Sequence, residues 1–115
     1  MHELSIALGI VDAASEEATR QNASRVCAVH LRLGPLAGVV KEALEFAYEA
    51  SCYGTLLAGS RLIIEDQPVV VYCPACRTER TLASIQRFVC PECGTATPQV
   101  ISGRELELSA LEVED

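Results

Sequence analysis

Two Cys-x-x-Cys pairs, Cys73-Pro74-Ala75-Cys76 and Cys90-Pro91-Glu92-Cys93, stand thirteen residues apart. A two-residue gap lets a tight turn aim two sulfurs, with nearby backbone amides, at one ion. Two such knuckles at the ends of a short hairpin close a tetrahedral four-thiolate site. Gly94 permits the turn after the second pair. The segment 73–98 is therefore expected to form a zinc-ribbon-like insert. Four protein ligands leave no open coordination position, so a filled site is structural rather than catalytic. A doubled motif on an insert, instead of one motif opening a helix, speaks against a thioredoxin-like dithiol. Thiolates also accept iron, so a rubredoxin-like centre is the competing occupant.

The reading depends on the compartment. Met1-His2-Glu3-Leu4 lacks the positive region that opens a secretory signal, and no apolar run approaches the ~20 residues that a membrane helix needs. A cytoplasmic protein is expected, in which cysteines are metal ligands or buried thiols rather than disulfides. The 115 residues are 50% hydrophobic, enough for one core with a small appendage.

Charge narrows the function. Nine basic and sixteen acidic side chains leave a formal −7, which disfavours nucleic acid and anionic membranes. Between Cys73 and Cys93, three arginines (Arg77, Arg80, Arg87) oppose two glutamates (Glu79, Glu92), a sum of +1. Four thiolates and Zn²⁺ add −2, so the filled insert carries −1 and is no phosphate-binding stripe.

Around the insert the periodicities alternate. Leu4, Ala7, Leu8, Val11, Ala14, Ser15 and Ala18 predict a helix over the first twenty residues, widened by Ile6 and Ile10 and closed by a left-handed Asn22. Residues 25–33 predict a strand with Cys27, Val29, Leu31 and Leu33 on one face and Ala28, His30 and Arg32 on the other. A second helix is expected over 40–53, with Val40, Ala43, Leu44, Ala47, Ala50 and Ser51 inside and Gly54 as its cap. A strand over 61–72 is interrupted by Pro68, and a last strand over 99–113 slips phase near Ser109-Ala110. The expected class is α+β: a small, mostly antiparallel sheet covered by two helices. Residues 1–72 plus 99–115 form the main domain and 73–98 the zinc-binding insert. Cys27 and Cys52 read as small buried hydrophobes. Nothing in sequence clusters with His30.

A histidine at position two places nitrogens in chelating order. The α-amine of Met1 and the amide of His2 close a five-membered ring around a metal, and that amide with the imidazole closes a six-membered one. The amide of Glu3 could complete a square plane. Deprotonated amides bind metals that prefer square-planar nitrogen fields, chiefly Ni(II) and Cu(II). The plain alternative is a solvated chain end. No serine–histidine–acid arrangement, phosphate loop or open metal site suggests an enzyme.

Met1-His2-Glu3-Leu4-Ser5, Gly34-Pro35-Leu36-Ala37-Gly38-Val39, Glu42-Ala43-Leu44-Glu45-Phe46-Ala47-Tyr48, the two cysteine pairs and Ile101-Ser102-Gly103-Arg104-Glu105-Leu106 occur in this order. With them the chain closely resembles, over essentially its full length, the HypA/HybF family of nickel metallochaperones. That resemblance implies Ni(II) cargo bound at the amino terminus through His2 and neighbouring backbone nitrogens, and structural Zn(II) on Cys73, Cys76, Cys90 and Cys93. It implies cooperation with a nickel-handling GTPase and delivery to the precursor of the nickel–iron hydrogenase large subunit, with urease served by some relatives. A monomer or a homodimer is compatible with it. Two further classes stand beside this reading: an electron carrier with rubredoxin-like iron, and a plain zinc-ribbon adaptor.

Overall fold

Ala7, Ile10, Val11, Ala14 and Ala18 are the buried side of the first helix, α1 (Glu3–Arg20), in a computed structural model that describes residues 2–115. Three alanines in this stripe let the helix approach its neighbours closely. The stripe is turned from the expected one, because Leu4 and Leu8 are 56% and 46% exposed while Ile10 goes inside. With apolar residues at 4, 6, 8 and 10, the first turns hold two competing stripes, and packing decides between them. The helix ends as expected. Asn22 adopts φ 56°, Ala23 N–H donates to Ala18 O at 2.9 Å, and Asn22 N–H donates to Thr19 O at 3.0 Å, a Schellman arrangement.

Strand β1 (Arg25–Leu33) is the middle strand of a three-stranded sheet. Its burial fits that position. Val26, Ala28, Val29, Leu31 and Leu33 are all buried, with a change of phase between Ala28 and Val29. The simple alternation expected of a half-solvated strand is thus broken, and Cys27 is only half-buried. Helix α2 (Lys41–Cys52) packs on α1 and buries Leu44, Ala47, Tyr48 and Cys52. Val40, Ala43 and Ala50 are exposed while Tyr48 and Cys52 go inside, so the inner stripe is again turned from the expected one. Gly54, at φ 76°, closes a turn in which Thr55 N–H donates to Cys52 O at 3.1 Å. Burying side chains such as Leu31 and Leu44 stabilises the fold by roughly 2 kcal/mol each.

The expected strand over 61–72 is two strands, β2 (Arg61–Asp66) and β3 (Val69–Cys73). The expected strand over 99–113 is likewise two, β5 (Gln99–Ser102) and β6 (Leu106–Glu114), with β4 (Thr78–Leu82) between β3 and β5. One sheet has the order β2-β1-β6 and the other β4-β3-β5. Pro68 therefore marks a change of sheet rather than a bulge within one, and Gly103, at φ 126°, marks the return. Ser24 N–H to Glu114 O and Gly34 N–H to Glu105 O, both 2.8 Å, set β6 antiparallel to β1. Val26 N–H to Leu56 O before β2 and Gln67 N–H to Leu33 O after it set β2 alongside β1 in the same direction, joined by α2 as the crossover. In the second sheet β3 is central and antiparallel to both neighbours.

The chain divides into two compact units. One runs up to Leu31 and includes Gly38–Glu65 and Glu107–Asp115; the other is Arg32–Ala37 with Asp66–Leu106. The cysteine-bearing unit is thus larger than the segment 73–98. The strand that leads into the first knuckle pairs with those that follow, and so belongs with them.

Candidate metal centre

Cys73 is the last residue of β3, whose inward face Val69, Val71 and Cys73 repeats every second position. The next residues turn the chain into β4, opposite which they pair in the register Val71↔Arg80 and Cys73↔Thr78. In that turn Arg77 N–H donates to Cys73 O at 2.8 Å and Arg77 takes φ 55°. The second knuckle repeats the first: Gly94 N–H donates to Cys90 O at 2.8 Å with φ 76° at Gly94. A short hairpin holds it, with Cys90 N–H donating to Thr95 O at 2.8 Å and Thr97 N–H to Phe88 O at 2.9 Å. Each pair is therefore closed by the same left-handed residue after its second cysteine. Only one of the two is a glycine.

The four sulfurs of Cys73, Cys76, Cys90 and Cys93 lie within 4.8 Å of one another. Cys73 and Cys93 sulfurs are 3.5 Å apart, and Cys76 and Cys90 sulfurs 3.9 Å apart. In a tetrahedral zinc site with bonds of ~2.3 Å, sulfurs stand ~3.8 Å from each other. The spacing fits one such ion and no larger group. None of the six cysteines forms a disulfide. Hydrogen bonds already hold two of the sulfurs: Cys76 N–H donates to Cys73 Sγ at 3.3 Å, and the Cys93 thiol donates to Thr95 Oγ1 at 3.2 Å.

Without a metal the thiols of Cys76, Cys90 and Cys93 do not titrate alike. Burial raises the Cys90 thiol, but the N–H groups of Cys93 and Glu92 and the Arg80 guanidinium outweigh it and bring Cys90 down to about 6. The Thr95 hydroxyl and N–H lower Cys93. Arg80 also lowers Cys76, yet hydrogen bonds to Cys93 and Cys73 prevail and push Cys76 up to about 11. Held this close, the sulfurs share protons, and a divalent cation would displace them. Arg80 was not picked out by the sequence pattern. The hairpin register is the signal that finds it: Arg80 faces Val71 and so shares the face of Cys73.

The other expected site residues lie at the start of α1. Met1 falls outside the described residues. His2 is exposed and caps the helix with its carbonyl, accepting from Ile6 N–H at 3.2 Å. Its imidazole makes no cap bond. Glu3 opens the helix, and its Oε2 accepts from Val40 N–H at 3.2 Å, where α2 begins. That bond, with the residue's own N–H, holds the Glu3 carboxyl below its usual value.

Among the described residues, His30 is remote in sequence from its partners but not alone. Its Nε2 lies 2.7 Å from Glu112 Oε2 and its Nδ1 3.6 Å from Glu65 Oε2, across three neighbouring strands. Each ring nitrogen is thus occupied by a carboxylate. Cys52 is buried, its sulfur 3.7 Å from Ser60 Oγ, which Tyr48 Oη meets at 2.7 Å.

Two helices with two small, mostly antiparallel sheets, one of them carrying a four-cysteine cluster, define a small metal-site protein of the α+β class. A family model described as "Hydrogenase/urease nickel incorporation, metallochaperone, hypA" matches residues 1–113. The chain belongs to this HypA family, whose members are metallochaperone maturation factors and not enzymes. Hydrogenase maturation factor HypA from Chloroflexus aurantiacus is 54% identical over 112 residues, covering 97% of this chain and 98% of that one. Its counterpart from Roseiflexus sp. is 49% identical over 115 residues, covering 100% and 94%. The solution structure of the Ni metallochaperone HypA from Helicobacter pylori shares the fold, with a TM-score of 0.68 at 23% identity over 99% of this chain and 98% of that one.

Proposed function

We propose that this chain is a cytoplasmic nickel carrier. It binds Ni(II) through the α-amine of Met1, the amide and imidazole of His2 and the amide of Glu3. It then passes the ion to the precursor of the nickel–iron hydrogenase large subunit, in concert with a nickel-handling GTPase. Zinc on Cys73, Cys76, Cys90 and Cys93 braces the second unit.

The observation that carries the nickel site is the state of the first helical turn. The first N–H groups of any helix have no rung to donate to. Here the ladder starts with Ile6 N–H on His2 O, so the amides of His2 and Glu3 are free of it. A metal can take their nitrogens without breaking a helical bond. The Glu3 N–H meets its own side-chain carboxylate, which Val40 N–H also engages, so its nitrogen can be taken by the ion without breaking a rung of the helix. His2 is exposed, so its ring reaches an incoming ion without displacing packed groups.

Such a site suits delivery. A chain end frays and re-forms at low cost, so ligands can be exchanged one at a time with a recipient. Binding expels protons from the amine, amides and imidazole, so affinity falls as pH falls. The whole chain carries −7 before zinc and −9 with four thiolates around one Zn²⁺, a charge that attracts cations.

Calorimetric titration of Ni(II) into the wild type and His2→Ala tests the proposal. Loss of the tight one-to-one event in the variant is expected; unchanged affinity and stoichiometry would overturn it. A residue added before Met1 should weaken binding too, because it removes the amine from the chelate. Recovery of hydrogenase activity by added nickel in a deletion strain is the expected cellular outcome.

A further inference from the structure

Arg80 brings a cation to the sulfurs from the strand opposite Cys73. It pairs with Val71 in the β3–β4 register, on the same face of the hairpin. Its guanidinium lies beside the sulfurs of Cys76 and Cys90, one from each knuckle. Its Nε is buried with no hydrogen-bond partner. An unpaired buried donor carries a free-energy penalty. The side chain keeps that penalty beside the two sulfurs.

A filled four-thiolate zinc site carries a net −2. Excess negative charge on sulfur makes zinc-bound thiolates nucleophilic and exchangeable. A hydrogen-bonded cation draws lone-pair density away and offsets part of that charge. Planar guanidinium, with its fork of N–H groups, can do this for two sulfurs at once where a lysine would meet one.

We propose that Arg80 is the counter-cation of the filled zinc site, clamping one sulfur of each knuckle so that the structural metal neither exchanges nor reacts. This rests on the zinc reading of the four cysteines. It also deepens that reading, because a carrier of a second, exchangeable metal must keep its resident metal out of the exchange. The two sulfurs outside the clamp are Cys73, which is fully buried, and Cys93, which is exposed and lies beside the neutral Thr95. The site therefore opens first at Cys93.

The test uses full-length protein as purified, with metal content measured first, and the variants Arg80→Met and Arg80→Lys. Zinc transfer to a chromogenic chelator is followed alone and with iodoacetamide. In that reaction a sulfur lone pair forms an S–C bond, iodide leaves and the Zn–S bond is lost. Wild type is expected to alkylate first at Cys93 by peptide mapping. Arg80→Met is expected to release zinc about 10- to 100-fold faster, the scale of a lost partner to a metal ligand, and to bring Cys76 modification forward. Arg80→Lys, with charge but no fork, falls between. Cobalt substitution adds a readout that a merely structural role would not move: the sulfur-to-cobalt charge-transfer band shifts to lower energy in Arg80→Met. Zinc-loaded variants that match wild type in rate, labelling order and band position overturn the proposal. A misfolded Arg80→Met passes the decision to Arg80→Lys, which overturns it by matching wild type in band and rate. Wild type without zinc, or with iron, overturns the zinc reading and this proposal together.

Discussion

Gly34 meets Gly103 so closely that a Cβ on Gly34 would stand 2.1 Å from the Gly103 carbonyl oxygen. The approach is used: Leu36 N–H donates to that same oxygen at 2.8 Å, and Gly34 N–H donates to Glu105 O at 2.8 Å. The two sequence motifs that contain these glycines, 34–39 and 101–106, are thus one structural joint. Gly34 and Gly103 both lie in the unit that carries the cysteines.

Gly34→Ala is expected to destabilise the protein by about 3 kcal/mol, because backbone, unlike a flexible side chain, cannot step aside. Urea unfolding at unchanged slope measures it. Gly9→Ala is the control. Gly9 lies inside α1 and a Cβ there meets nothing within 4 Å. Replacing it should stabilise the helix by roughly 0.8 kcal/mol.

Asn22 and Arg77 are the two non-glycine residues with positive φ among those described. Asn22 ends α1, where its left-handed turn satisfies the last carbonyls. Asn22→Val should cost about 1–2 kcal/mol, since a β-branched side chain crowds that conformation, whereas Asn22→Gly should be neutral or slightly favourable. Thermal unfolding of the pair distinguishes a backbone effect from loss of the amide side chain.

These positions show what sequence could and could not reveal. The helices, the span of β1, the Asn22 cap and the four-thiolate cluster were legible because each rests on local spacing. Helix phase was not. Leu4 and Leu8 compete with Ala7 and Ile10, and only the neighbours decide which side is buried. The sheet changes at Pro68 and Gly103 were hidden because apolar alternation continues on both sides of each. Residues brought in by pairing were invisible for a related reason. Arg80 reaches the sulfurs through hairpin register, and Glu112 meets His30 from 82 positions away.

The bond from Val40 N–H to Glu3 Oε2 ties the start of α1 to the start of α2. The folded carboxyl is lowered by that bond, so it favours the native state above the unfolded value near 4.5 and loses this contribution as pH falls through the lower folded value. The Val40 amide shift should therefore titrate with a midpoint below 4.5. In Glu3→Gln that titration should vanish. A Val40 shift that follows an ordinary glutamate, or that persists in the variant, would break the link. Nickel binding at the Glu3 amide should perturb the same resonance in wild type.

Metal removal gives the clearest separation of the two units. The second has few large buried side chains beyond Leu33, Val69 and Val71, and its buried Cys73 and Cys90 belong to the cluster itself. Zinc binding energy is therefore folding energy for this unit. Cys90→Ser, or chelation of the wild type, should abolish zinc stoichiometry by metal analysis and strip hydrogen-exchange protection from residues 66–106. Val29, Leu31 and Leu44, in the other unit, should keep theirs. The loss should also follow acid. Metal-bound thiolates must be displaced by protons, so the ion is lost as pH falls. Zinc release followed from pH 8 to pH 5 should thus rise toward low pH, and protection at Val71 and Thr97 should disappear in step with it.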